Sequence, residues 1–82
     1  DMPFRERAVE YISKQAMDEG VDTLLKIARN RSLSTKARTH AGEALVRIHT
    51  TFPLVSIGAL IVLSKDIRVP KDVRKYATSN IP

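Results

Sequence analysis

The chain contains no cysteine, which removes disulfide staples, a thiol nucleophile and thiolate metal sites together. That absence fits a cytoplasmic protein, and this is the localisation expected. No stretch approaches the roughly 18–20 apolar residues that a membrane span requires. The longest apolar run, Phe52 to Leu63, is twelve residues and is interrupted by Ser56 and Gly58. No membrane partner is therefore expected. The N-terminus is acidic and lacks an apolar h-region, so no secretory leader is expected either. There is no glycine-rich phosphate loop and no serine in a strand-to-helix elbow. Asp18 and Glu19 lie beside Gly20 at an expected helix end, where solvent exposure is favoured over acid–base work. His40 and Glu43 are three apart on one helix, but a metal centre in a bundle needs ligands from several helices. His49 falls on another face. The chain is expected to be no enzyme and to carry no cofactor, no metal and no small-molecule substrate.

What is present is one small helical domain. Eighty-two residues are near the lower limit at which a core alone stabilises a fold, and a hydrophobic fraction of 43% is ordinary for a globular chain. Charge is unevenly spread. Residues 1–22 carry three basic and six acidic side chains; residues 23–82 carry eleven basic ones against Glu43, Asp66 and Asp72. The longer part is therefore strongly basic, and such a field attracts polyanions.

Residues 21–46 and 57–82 carry one pattern twice, offset by 36 positions. Leu24-Leu25 answers to Leu60-Ile61, Ile27 to Leu63, Arg29 to Lys65 and Asn30 to Asp66. Leu33 answers to Val69, Ala37-Arg38 to Val73-Arg74, Ala41 to Ala77 and Leu45 to Ile81. Self-similarity at this period marks a stacked supersecondary unit, each copy burying an apolar face on its neighbour.

The periodicity predicts about five helices and an all-α fold. The first runs from about Pro3 to Glu19 with Phe4, Ala8, Tyr11, Ile12 and Ala16 on one stripe, and Gly20 as its C′ stop. The second spans about Asp22 to Asn30. Ser34 is the natural N-cap of a third helix reaching about Thr50, with Ala37, Ala41, Ala44, Leu45 and Ile48 on one face. Gly42 lies inside it, a position that close helix packing would explain. Thr51 caps and Pro53 opens a fourth helix, apolar nearly all round and so expected to be covered on both sides. Val69-Pro70 starts a fifth, carrying Val73, Tyr76, Ala77 and Ile81 and expected to be shorter than the third. The domain divides as an N-terminal helix (1–20), a first hairpin (21–50) and a second (51–82).

These hairpins resemble HEAT-type helical repeats. The matching text is Leu24-Leu25-Lys26-Ile27-Ala28 followed by Leu33 to Leu45, then Ala59-Leu60-Ile61-Val62-Leu63 followed by Val69 to Ala77. The resemblance implies stacked antiparallel hairpins in a right-handed α-α superhelix. It also implies a structural role for Arg38 and Arg74, bonding turn carbonyls or a carboxylate in the preceding turn, with direct ligand contact as the alternative. Asp66 would then pair with Arg74 or its neighbour. Two copies are few for such an array, so either a longer solenoid or self-association is expected.

Lys26, Arg29, Arg31, Lys36 and Arg38 surround one intra-repeat turn, and Lys65, Arg68, Lys71, Arg74 and Lys75 the other. Stacked hairpins set equivalent turns side by side, so these ten form a candidate polyanion-binding edge supported by two helix N-termini. A solvated face is the plainer reading of the same residues. Phe4, Tyr11, Phe52 and Tyr76 all fall on apolar stripes, which argues against base stacking. Phe52, Leu54, Val55, Ile61 and Val62 form a candidate apolar interface. The sequence thus points to a non-catalytic protein-binding or scaffolding module, with a protein partner or self-association as the first expectation. Nucleic-acid backbone binding through the basic edge is the alternative.

Overall fold

A computed structural model describes the backbone of residues 2–82 and the side chains of residues 15–82. The described residues form four helices and no strand: α1 (Met2–Arg29), α2 (Thr35–Thr51), α3 (Pro53–Lys65) and α4 (Lys71–Asn80). Each helix packs on the next in sequence. In addition α1 lies against α3 and α2 against α4, which makes two layers of two helices.

One helix replaces the two expected over residues 3–30. Gly20 does not stop it, because its φ is negative and the chain stays helical through it. The reason is burial beyond the glycine. Val21, Leu24, Leu25 and Ala28 follow at helical spacing; Val21 and Ala28 are buried, and both leucines pack against the core. A mid-helix glycine costs about 1 kcal/mol, less than the roughly 1.5–3 kcal/mol from burying one large aliphatic side chain. The stripe expected on residues 4–12 lies outside the described side chains, and Ala16, assigned to the same stripe, is exposed.

The 36-residue repeat is visible as two matching turns. Residues 30–34 and 66–70 have the same succession of backbone states before the next helix begins. In the first turn the Leu33 N–H donates to the Asn30 carbonyl at 3.1 Å; in the second, Val69 N–H donates to the Asp66 carbonyl at 3.0 Å. Side chains repeat the motif: Asn30 Oδ1 accepts from the Ser32 N–H at 3.0 Å, and Asp66 Oδ1 from the Arg68 N–H at 2.9 Å. Asn and Asp are favoured there because a short acceptor reaches the backbone two residues on. Ser34 caps α2 as expected, accepting from the Ala37 N–H at 3.1 Å. Thr51 does not cap α3. It ends α2, and Phe52 forms the joint between the two helices, with Pro53 opening α3.

That joint is tied internally. The Ser56 hydroxyl donates its hydrogen to the Phe52 carbonyl at 3.0 Å, so in its contact with His49 Nδ1, also 3.0 Å, Ser56 Oγ accepts and the Nδ1–H donates. Both side chains are buried. Further along, Leu45, Leu60 and Leu63 are fully buried, with Val46, Val69, Val73 and Ala77 around them. The α2–α4 contact closes at Gly42, where a Cβ would overlap the Val73 Cγ1. Helix α4 is short, as expected. Thr78, Ser79 and Asn80 turn their side chains back onto the carbonyls of Arg74, Lys75 and Tyr76, a local alternative to continuing the helix.

Helix α3 is not covered all round. Ser56, Leu60 and Leu63 face the other three helices, whereas Leu54 is 93% exposed and Ile61 is 40% exposed. Gly58 lies between them on the same stripe, with no atom near where its Cβ would be. Among the described residues nothing packs on this side.

Candidate functional site

The two turns touch, and Asp66 is the centre of the contact. One carboxylate oxygen accepts from Arg29 Nε of the first hairpin at 2.7 Å and from Arg68 Nη2 of its own turn at 2.7 Å. The other oxygen accepts from Arg68 Nε at 3.0 Å. The Arg68 guanidinium bonded to it, helped by the Arg68 N–H and by Arg29, holds the Asp66 carboxyl well below the usual carboxylate range, against the opposing effect of burial. The same bond raises Arg68. Asp66 pairs with Arg29 and Arg68, not with Arg74. Its position at the end of α3 aims it across the stack rather than toward α4.

Arg38 supplies a second link. Its Nη1 donates to the Arg68 carbonyl at 2.8 Å, reaching the turn of the following hairpin rather than the turn before its own helix. Arg74, its equivalent, makes no side-chain hydrogen bond among the described residues. The Nε atoms of both arginines are buried and unpartnered.

The ten basic residues of the edge are therefore of two kinds. Arg29, Arg38 and Arg74 are half-buried; Arg29 is engaged with Asp66 and Arg38 with the Arg68 carbonyl across the contact between the hairpins. Lys26, Arg31, Lys36, Lys65, Arg68, Lys71 and Lys75 are exposed. Of these, Lys26 pairs with Asp22 at 3.1 Å and Arg68 with Asp66. Arg31, Lys36, Lys65, Lys71 and Lys75 have no acidic partner among the described residues.

Two grooves lie among them. One, about 470 Å³, spans both turns and is lined by Lys26, Arg29, Asn30, Arg31 and Arg68. The other, about 500 Å³, is lined by Ser64, Lys71, Arg74, Lys75, Thr78 and Ser79. Lys36 and Lys65 line neither. At the start of α4 Pro70 provides no side-chain cap, so the first-turn N–H groups stay open, and Asp72 alone offers a negative charge there.

The apolar candidates divide in the same way. Phe52, Leu54 and Ile61 are exposed, while Val55 and Val62 are half-buried. Tyr76, expected on the inner stripe of its helix, is 43% exposed. It lines a groove of about 340 Å³ with Thr39, Glu43, Arg47, Asp72 and Val73. Sequence pattern signals neither that groove nor the His49–Ser56 tie. Both join residues of different helices, and nothing in the repeat links their positions.

Among the described residues, no helix is long and apolar enough to cross a membrane. Comparison with protein-family models, curated proteins and solved structures finds no match.

Proposed function

We propose that the chain is a non-catalytic helical-repeat binding module of the HEAT-like kind, and that its basic turn edge takes the phosphate backbone of a nucleic acid. The repeat reading is supported by the two matching turns at the 36-residue offset, and by the pairing of α1 with α3 and α2 with α4. The observation that carries the functional reading is the groove spanning both turns, with Arg31 contributed by one hairpin and Arg68 by the other. Phosphates lie several ångströms apart along a backbone, and a spaced array of side-chain cations suits them better than one concentrated pocket. Contacts of this kind position a duplex and carry little sequence information.

The test is charge reversal at Arg31, Lys36, Lys71 and Lys75. All four are exposed and have no ion pair among the described residues, unlike Arg29 and Arg68, which anchor Asp66. The fourfold variant should keep its helicity and melting temperature and lose duplex binding. Unchanged binding would show that the edge takes no part in it.

A second reading, capture of a protein partner, is favoured by the uncovered side of α3. Leu54 at 93% exposure and Phe52 at 46% are costly to leave in water. Binding there would survive salt, since apolar burial is not screened, and would be lost in a Leu54→Glu variant.

A further inference from the structure

Each face of the contact between the two hairpins recurs on the outer side of the other hairpin, unpaired among the described residues. On the first hairpin, Gly42 receives Val73 and the Arg38 guanidinium receives the Arg68 carbonyl. At the repeat-equivalent positions of the second hairpin stand Thr78, which is exposed, and Arg74, whose guanidinium has no hydrogen-bond partner among the described residues. These two line the open groove of about 500 Å³. The groove occupies the place where, one repeat earlier, a turn and a helix start are seated.

The matching opposite face belongs to the first turn and the start of α2. There Ala37 stands where Val73 stands in the second copy, and the Ser32 carbonyl stands where that of Arg68 does. Ser32 O accepts no hydrogen bond among the described residues. Leu33 is 38% exposed, whereas its equivalent Val69 is 1% exposed. The first turn therefore leaves uncovered an apolar side chain that the second turn buries.

We infer that two copies of this chain stack head to tail, the α3–α4 end of one receiving the first turn and α2 start of the next. The pairing Gly42–Val73 becomes Thr78–Ala37. Bulk moves from one side of the contact to the other while the combined volume stays nearly constant, the kind of exchange that packed interfaces tolerate best. The bond from Arg38 to the Arg68 carbonyl becomes one from Arg74 to the Ser32 carbonyl. The weakest element is the link from Arg29 to Asp66, which becomes Lys65 facing Asn30 and loses its ion pair. The interface is heterologous, so association adds copies one after another as concentration rises, in an open stack or a ring. Because basic edges line up along it, association strengthens as salt rises, opposite to phosphate binding. The inference stands on the hairpin contact and not on the nucleic-acid reading.

The chain has no cysteine, which makes thiol capture clean. At the internal contact a Cβ on residue 42 would lie 3.3 Å from the Val73 Cβ, close to the Cβ separation of a disulfide, roughly 3.5–4.5 Å. Ala37→Cys and Thr78→Cys chains, made separately and mixed under mild oxidation, should give a 37–78 dimer. Its yield should be roughly tenfold or more above the dimer formed by either variant alone. Sedimentation of the unmodified protein should show a mass that rises with concentration and with salt. No preference for the mixed disulfide, or a monomer mass at every concentration, would overturn the inference. Lys71 and Lys75 line the groove that the next copy would fill, so duplex binding is read below the concentration at which the chain associates, which keeps the two tests separate.

Discussion

Gly42 faces Val73 across the contact between α2 and α4, and the Val73 Cγ1 already fills the space a Cβ at residue 42 would need. Valine is stiff at χ1 and Val73 is itself buried in the core, so it cannot swing away freely. Gly42→Ala is therefore expected to destabilise the protein by roughly 1–3 kcal/mol, despite the helical preference of alanine. Adding Val73→Ala should recover part of that loss. Urea unfolding of the single and double variants checks both.

The other two glycines give the opposite sign. Gly20 and Gly58 are also inside helices, yet a Cβ at either meets nothing. Alanine at each should stabilise by about 0.5–1 kcal/mol, seen as a higher melting temperature. Had Gly20 marked a real helix end with left-handed backbone, the same change would destabilise.

Asp66 links stability to pH. Its carboxyl is held low in the folded protein, chiefly by Arg68, so the folded state takes up this proton at lower pH than the unfolded chain. The ion pairs then contribute fully above the ordinary carboxylate pKa of about 4, and the contribution is lost as pH falls below it toward the native value. Asp66→Asn keeps an oxygen for the Arg68 N–H, as Asn30 does for Ser32, but loses the charge. It should lower the melting temperature near neutral pH by a few degrees, about 1 kcal/mol or less. Below about pH 4 its stability should vary less with pH than that of the parent. Urea midpoints between about pH 2 and pH 6 measure this.

The α2–α3 joint depends on a buried polar pair. Ser56→Ala removes the acceptor of His49 Nδ1 and the donor to the Phe52 carbonyl together. The expected cost is roughly 1–3 kcal/mol, most of it from a buried donor left without a partner. Hydrogen exchange should show the loss concentrated at residues 46–56.

The elements legible in sequence are those set by local chemistry. Ser34 before the start of α2, Pro53 in the first turn of α3 and the Asn30 and Asp66 turns each announce themselves through a side chain that serves its own neighbourhood. The structural role of Arg38 comes from the resemblance to HEAT-type repeats, and the carbonyl it bonds belongs to the turn of the following hairpin. What cannot be read in this way depends on distant partners. Gly20 resembles a stop in sequence because the gain from burying Val21 and Ala28 comes from helices far along the chain. Sequence proximity pairs Asp66 with the Arg74 region, its neighbour across the turn. Arg29 lies 37 residues earlier and meets Asp66 only when α1 and α3 are stacked. Periodicity places Tyr76 inside, whereas the buried residues of the ten-residue α4 are Val73 and Ala77, and Tyr76 falls beside that stripe.

Whether the basic edge works on phosphates is decided most sharply by the salt dependence of duplex binding, followed by fluorescence anisotropy with labelled random-sequence DNA and RNA. With four phosphates neutralised on DNA, the plot of log affinity against log salt should fall with a slope of about −3.6. It should flatten when Arg31, Lys36, Lys71 and Lys75 are reversed. Absence of binding at low salt, or binding whose slope is unchanged in that variant, would contradict the basic edge as the working surface.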